Sequence, residues 1–249
     1  MIVYLAGEAY GEKVFEHNKY DFNRLDSFFY VRNNKSFQTN IIKYKRYILD
    51  SGAFTFIMSK NKIKIDIDSF TDQYIEFINH HKIDLFFEMD VDSVYGYNKV
   101  KELRKRIESK TGKPTIPVFH MNRGLHDFIA VCKDYNYISL GIAGKDFAWG
   151  DGKSFLPFVL KAKELDCKTH GLGITGMGVL DKVPFHSVDS SSWTAGNRYK
   201  TIFHFDGKKV KSFKCDLTKK RISNHLGLAM HNFNEWNKFS KSMENKIVI

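Results

Sequence analysis

Cysteine is scarce: Cys132, Cys167 and Cys215 are the only three among 249 residues, an odd number with no CxxC pair. That spacing excludes a disulfide framework and a structural zinc knuckle, and it points to a reducing cytoplasm. Only four prolines occur, and nothing marks a linker between domains. No run approaches ~20 apolar residues, so no spanning helix and no membrane partner are expected. The opening MIVYLAGEAYGE carries acids too early for a signal peptide. There is no HxH or HExxH run, no internal repeat and no low-complexity tract.

What is present is a core. Apolar residues make up 43% and aromatics 15%, with 22 Phe, which excludes wholesale disorder. A single domain over residues 1–249 fits this length, and about 250 residues is the usual size of a (β/α)8 barrel. Against 28 Asp+Glu stand 39 Lys+Arg, a formal charge of +11. Spread evenly, such an excess serves solubility; concentrated, it serves a polyanion whose counterions are released on binding. Two clusters stand out. Lys99 to Lys113 reads as the solvated face of a helix, whereas Lys208 to Arg221 alternates basic and apolar residues like a strand pair with one wet face. Lys208, Lys209 and Lys211 in the second are the better candidates for backbone phosphates.

Short apolar runs alternate with amphipathic stretches. Strands are predicted at Ile2–Ala6, Tyr47–Leu49, Leu85–Val91, Thr115–Phe119, Tyr137–Ile142, Lys168–Ile174 and Phe185–Val188. Helical spacing marks Ile67–His80, Val94–Ser109, Gly124–Asp134 and Ser154–Glu164. This alternation predicts βαβ units, a parallel sheet and, because polar text follows many different strands, a TIM-type barrel rather than an open doubly wound sheet. An eighth strand is sought in Thr201–Phe205 or Val210–Phe213, around an Asp206-Gly207 turn suited to a hairpin, with a closing helix at Asn224–Lys241.

The chemistry sits at strand ends. Asp50 precedes Ser51-Gly52-Ala53-Phe54 and reads either as a helix cap or as a catalytic acid beside a tight turn. Glu88, Asp90 and Asp92 alternate, so on a strand they share one face and need a ligand, a metal, a cation or water. Asp189, before Ser190-Ser191-Ser192-Trp193, is a second strand-end acid that could pair with Asp50 for glycosyl transfer. His120, His170, His186 and Asp189 fall where metal-dependent barrel hydrolases supply ligands. The glycine-rich Gly141–Gly144 and Gly171–Gly178 are either phosphate cradles or tight turns.

Taken in order, these segments resemble the tRNA-guanine transglycosylase family, and more closely its compact phage and bacterial relatives that place 7-deazaguanines in DNA (the DpdA group). Asp50-Ser51-Gly52-Ala53-Phe54 is similar to the family's DSGGF motif, with Ala for one Gly. The resemblance implies that Asp189 is the nucleophile, Asp50 the proton carrier, and Asp90 (with Asp92 as substitute) the reader of the base edge. It places His120 where the tRNA enzymes carry Gln, Gly141-Ile142-Ala143 on the GLA segment that contacts the heterocycle, Leu172 over the base, and Thr194–Arg198 on the TRNGR stretch. Phe54 joins the base pocket, and Arg198 joins Lys208, Lys209 and Lys211 on the nucleic-acid backbone. The family's CxCxxC…H zinc site is absent, so no cofactor and no metal are expected.

The implied partners are DNA and a free 7-deazaguanine base of the preQ0 type, in bacterial or phage-infected host cytoplasm; a homo-oligomer is compatible with the sequence. Competing readings are a tRNA-guanine transglycosylase, a metal-dependent TIM-barrel hydrolase built on His120, His170 and Asp189, a DNA-binding barrel without catalysis, and a glycosidase that removes the base.

Overall fold

Alternation along the first strand sets the architecture. In β1 (Ile2–Ala6), Val3 and Leu5 enter one apolar cluster, while Tyr4 and Ala6 enter another on the opposite face. A strand buried on both faces belongs to a parallel sheet covered by helices. The computed structural model describes residues 1–8, 10–53, 55, 66–141, 154–214 and 224–245. Its main sheet has seven parallel strands: β1, β2 (Asn23–Ser27), β3 (Arg46–Asp50), β4 (Val118–His120), β5 (Tyr137–Gly141), β6 (Lys168–Gly171) and β7 (Ser187–Ser190), in the order β3-β2-β1-β7-β6-β5-β4. The two outer strands are linked through residues 86 and 87, which make isolated parallel bridges from Leu49 in β3 and to Ile116, just before β4. The sheet is therefore curled rather than flat. Its concave face holds Tyr4, Ala6, Leu25, Ile48, Phe87, Ile116 and Val118, with Tyr137 and Leu172 packed against them.

Helices cover the other face. They are α1 (Gly11–His17), α2 (Phe28–Val31), α3 (Lys35–Asn40), α4 (Ile67–His81), α5 (Asp92–Tyr95), α6 (Tyr97–Thr111), α7 (Gly124–Asp134), α8 (Leu156–Glu164), α9 (Met177–Leu180), α10 (Ala195–Tyr199) and α11 (His225–Asn245). α4 buries Phe70, Tyr74, Phe77 and Ile78, as its spacing predicts, and Asp66 caps it by accepting from the Asp68 N–H. The Tyr74 hydroxyl lies 3.2 and 2.8 Å from the carbonyls of Leu49 and Phe87, so this helix also pins the bridged segment. α11 packs Phe233 against Phe15, Phe22 and Trp193, and the Ser240 hydroxyl donates to the Val3 carbonyl at 2.8 Å. Among the described residues no helix is long and apolar enough to cross a membrane.

Three expectations are corrected. β2 was not anticipated: four of its five residues are polar, and it is held by a buried Arg24–Asp26 ion pair, with Arg24 also donating to the carbonyls of Leu5 and Gly7. Leu85–Val91 is not a regular strand. The Glu88 carboxylate accepts from the Val118 N–H at 2.6 Å, taking the place of a backbone acceptor and ending the pairing there. Finally, Thr201–Phe205 and Val210–Lys214 (β8 and β9) add no eighth strand to the parallel sheet. They form a separate antiparallel hairpin whose Phe203 and Phe205 pack on Trp236 and Phe239 of α11.

Glu88 also shows what holds the wall. It is fully buried, and its other oxygen accepts from Arg104 Nε of α6 at 2.5 Å. Removing one partner of a buried pair leaves an uncompensated charge. Arg104→Met should lower stability by about 3–5 kcal/mol, and Glu88→Gln added to it should restore part of the loss; urea unfolding of the two variants measures both.

Candidate active site at the carboxyl ends of the strands

Asp50 ends β3 and is partly exposed. Its Oδ2 accepts from the Gly52 N–H at 3.0 Å, closing a tight turn. Gly52 has φ +73°, and a Cβ there would lie 2.6 Å from Ser27 Oγ and 2.8 Å from the Phe29 nitrogen, so glycine is required. Ser27 ends β2 in register with Asp50.

Asp189, on β7, is buried. Its Oδ1 accepts from the Gly173 N–H at 2.6 Å and stands 3.2 Å from His170 Nε2. His170 Nδ1 lies 2.6 Å from Ser187 Oγ, which in turn lies 2.5 Å from the Tyr137 hydroxyl.

A third group surrounds His120, the last residue of β4. Its Nε2 is 2.7 Å from Asp90 Oδ1 and 3.8 Å from Asp92 Oδ1. Asp92 begins α5 and accepts from Arg123 at 2.7 Å. A Cβ on Gly141 would lie 2.8 Å from His120 Cε1, so the bare backbone of β5 makes room for the imidazole. Asp90, Asp92 and His120 offer three ligand atoms within 4.8 Å of one another. The imidazole and Arg123 already serve as partners to those carboxylates.

The three groups share one electrostatic environment. Burial, reinforced by the charges of Asp189 and Asp90 and opposed by the Gly52 amide, pushes Asp50 up to about 7. Burial pulls the His120 imidazole down, yet its hydrogen bond to Asp90 and the charges of Asp90 and Asp92 hold it above its ordinary value. A carboxyl that exchanges its proton near neutrality, within range of a carboxylate tethered by two neighbours, can carry a proton while the other acts as nucleophile or counter-charge.

Asp50, Asp90 and Asp189 thus converge, and Asp92, His120 and Gly141 lie beside Asp90. Leu172 follows β6 directly and packs on the concave face. Glu88 does not share the site: it is turned to the helical layer and its cation is Arg104. The triple alternation is broken because the strand ends at Glu88. The metal set of His120, His170 and Asp189 is divided, with His120 serving Asp90 and His170 serving Asp189. Phe54, Ile142 and Ala143 lie outside the described residues, as does the side chain of Arg198, a residue of α10. Lys208 and Lys209 are exposed at the tip of the hairpin, and Lys211 on β9 pairs with Asp206 at 2.9 Å. Ser27, Ser187 and Tyr137 were not singled out from the sequence. Period two along each strand was their available signal, since it puts Ser187 on the face of Asp189 and Tyr137 on the face of Gly141.

Comparison with protein-family models and with curated proteins gives no match.

Asp50 yields a stability prediction. Its folded value lies above that of an unfolded Asp, so the folded protein binds the extra proton, and stability falls as pH rises from about 4 to about 7. Asp50→Asn should therefore raise the melting temperature by a few degrees at pH 8, and the gain should vanish near pH 4. Thermal unfolding at the two pH values checks this.

Proposed function

We propose that this chain is a base-exchanging transglycosylase that replaces guanine in DNA with a 7-deazaguanine. The observation that carries the reading is the pairing of Asp50, poised to hold a proton at about pH 7, with Asp189 at the ends of two different strands. We also read the curled sheet as a closed eight-stranded barrel with residues 85–88 as the eighth stave. The supports are the bridges at Leu49–Phe86 and Phe87–Ile116 and a concave cluster that draws on β1, β2, β3, the bridged segment and β4. In such barrels the chemistry lies at the carboxyl ends of the strands, which is where these acids stand.

In the first displacement a carboxylate oxygen of Asp189 forms a bond to the sugar C1′ and the C1′–N9 bond breaks. Its electron pair leaves with guanine, and the proton on Asp50 neutralises the base. The Asp50 carboxylate then takes a proton from the incoming 7-deazaguanine, whose nitrogen attacks C1′ and expels Asp189. Two inversions give retention. The target nucleotide has to leave the stack to reach acids set inside a sheet. Asp90 and His120, already paired, present a polar edge to the heterocycle, and Leu172 supplies an apolar one. Lys208 and Lys209 at the hairpin tip suit flanking phosphates.

Asp189→Ala should abolish incorporation of labelled 7-deazaguanine into DNA while binding persists, and a protein–DNA adduct trapped with the parent protein should be missing in Asp189→Asn. Full activity of Asp189→Ala, or labelling of tRNA alone, would sink the reading. Guanine release in a single turnover needs Asp50 protonated, so its rate should decline as pH rises through about 7. Replacing Lys208 and Lys209 together with Ala should weaken DNA binding and reduce its salt dependence by about two phosphate contacts, roughly 1.8 in the log–log slope, as fluorescence anisotropy across a salt series reads.

A further inference from the structure

Among the described residues Asp189 is tied down through one oxygen. Its Oδ1 receives both the Gly173 N–H and His170, and among the described residues Oδ2 has no hydrogen-bond partner. Behind His170 runs a buried chain. Ser187 Oγ lies 2.6 Å from Nδ1, the Tyr137 hydroxyl lies 2.5 Å from that oxygen, and His170 and Ser187 are completely shielded from solvent. The order of donors follows from the end groups. Facing Asp189 Oδ1, an acceptor that also receives the Gly173 N–H, Nε2 presents a proton, because a lone pair there would repel that oxygen. Burial keeps the Tyr137 phenol well above its ordinary value, so it stays protonated and is a donor to Ser187. Ser187 then donates to Nδ1, which fixes the ring as the Nε2–H tautomer. The rings of Tyr4 and Phe87, at 6.1 and 5.2 Å, hold its plane.

We propose that His170 is a positioning residue, set by Ser187 and Tyr137, which anchors Oδ1 of Asp189 and leaves Oδ2 as the oxygen that attacks the sugar. This rests on the base-exchange reading. The arrangement resembles that in which a buried acid orients a catalytic imidazole, with the roles reversed: here the imidazole orients the acid. A carboxylate free to rotate would present its attacking oxygen in the right direction only part of the time. One held by two donors on one oxygen is pre-oriented.

The test uses Ser187→Ala and Tyr137→Phe, which remove one oxygen each and leave the packing volume almost unchanged. Both should lower kcat for base exchange, by about tenfold or more, with KM for DNA within twofold, and the doubly substituted protein should be no worse than Ser187→Ala. A loss confined to thermal stability, with kcat unchanged, overturns the proposal. Nitrogen-15 NMR of histidine-labelled protein supplies a readout that needs no turnover: in the parent, His170 should show a protonated Nε2 and an acceptor Nδ1, and in Ser187→Ala the Nδ1 signal should shift. A ring protonated on Nδ1 in its neutral form overturns the proposal as well. Absence of base exchange in the parent protein would count against the functional reading alone, while the NMR result would still decide the orientation of the ring.

Discussion

Carboxylates at one end of a sheet buried on both faces have lost most of their water, and the cost of that loss governs the site. Each acid answers it differently. Glu88 takes Arg104 and a backbone amide, Asp92 takes Arg123, Asp90 takes His120, and Asp189 takes His170 and the Gly173 amide. Asp50 has the Gly52 amide and, among the described residues, no cation. It is also the group raised to about 7, with two other carboxylates in range. An acid without a cation among acids that have one is how a protein keeps a proton available at neutral pH.

The same constraint shapes the wall. A carboxylate cannot be buried beside a strand without a donor, and Glu88 finds one by intercepting the Val118 amide, which ends the pairing of residues 85–88. The chain then leaves the sheet through Met89 and Val91, both buried, and starts α5 at Asp92. That departure brings Asp90 and Asp92 to His120 on the neighbouring strand. The structural ion pair and the polar trio are therefore consequences of one strand ending early.

Much of this was legible in the sequence wherever the signal was local. Strands rich in β-branched and aromatic residues, the α4 stripe of Phe70, Tyr74, Phe77 and Ile78, and the Asp206-Gly207 turn all declare themselves within a few residues. The strand-end acids were readable for the same reason. β2 was not, because Asn23-Arg24-Leu25-Asp26-Ser27 has the composition of a loop. It is a strand because Arg24 and Asp26 neutralise each other under the helices and Arg24 satisfies the carbonyls of Leu5 in β1 and of Gly7 just beyond it. Pairings between distant segments were equally hidden: Glu88 with Arg104, His120 with Asp90, and the line from Tyr137 through Ser187 and His170 to Asp189. Alternation gives the face on which a residue lies, but only the register between strands says which neighbour it meets.

Register also revises the meaning of the positive charge. The cluster at Lys99–Lys113 is partly spent within the protein. Lys99 and Arg106 pair with Asp68, Arg106 also with Asp72, Lys113 with Asp84, and Arg104 is buried against Glu88. Such pairing lowers the potential this face can offer a polyanion. The hairpin differs. Lys208 and Lys209 are exposed, β9 presents Phe213 to solvent, and the Lys214 ammonium lies near the exposed ring of Tyr199. Exposed cations next to exposed rings are the combination that unstacked nucleotides favour, since phosphate and base are met together. An acidic site repels a polyanion unless cations nearby hold its backbone while one residue of the polymer enters, so for base exchange the hairpin, rather than the helix, is the place from which the strand would be held.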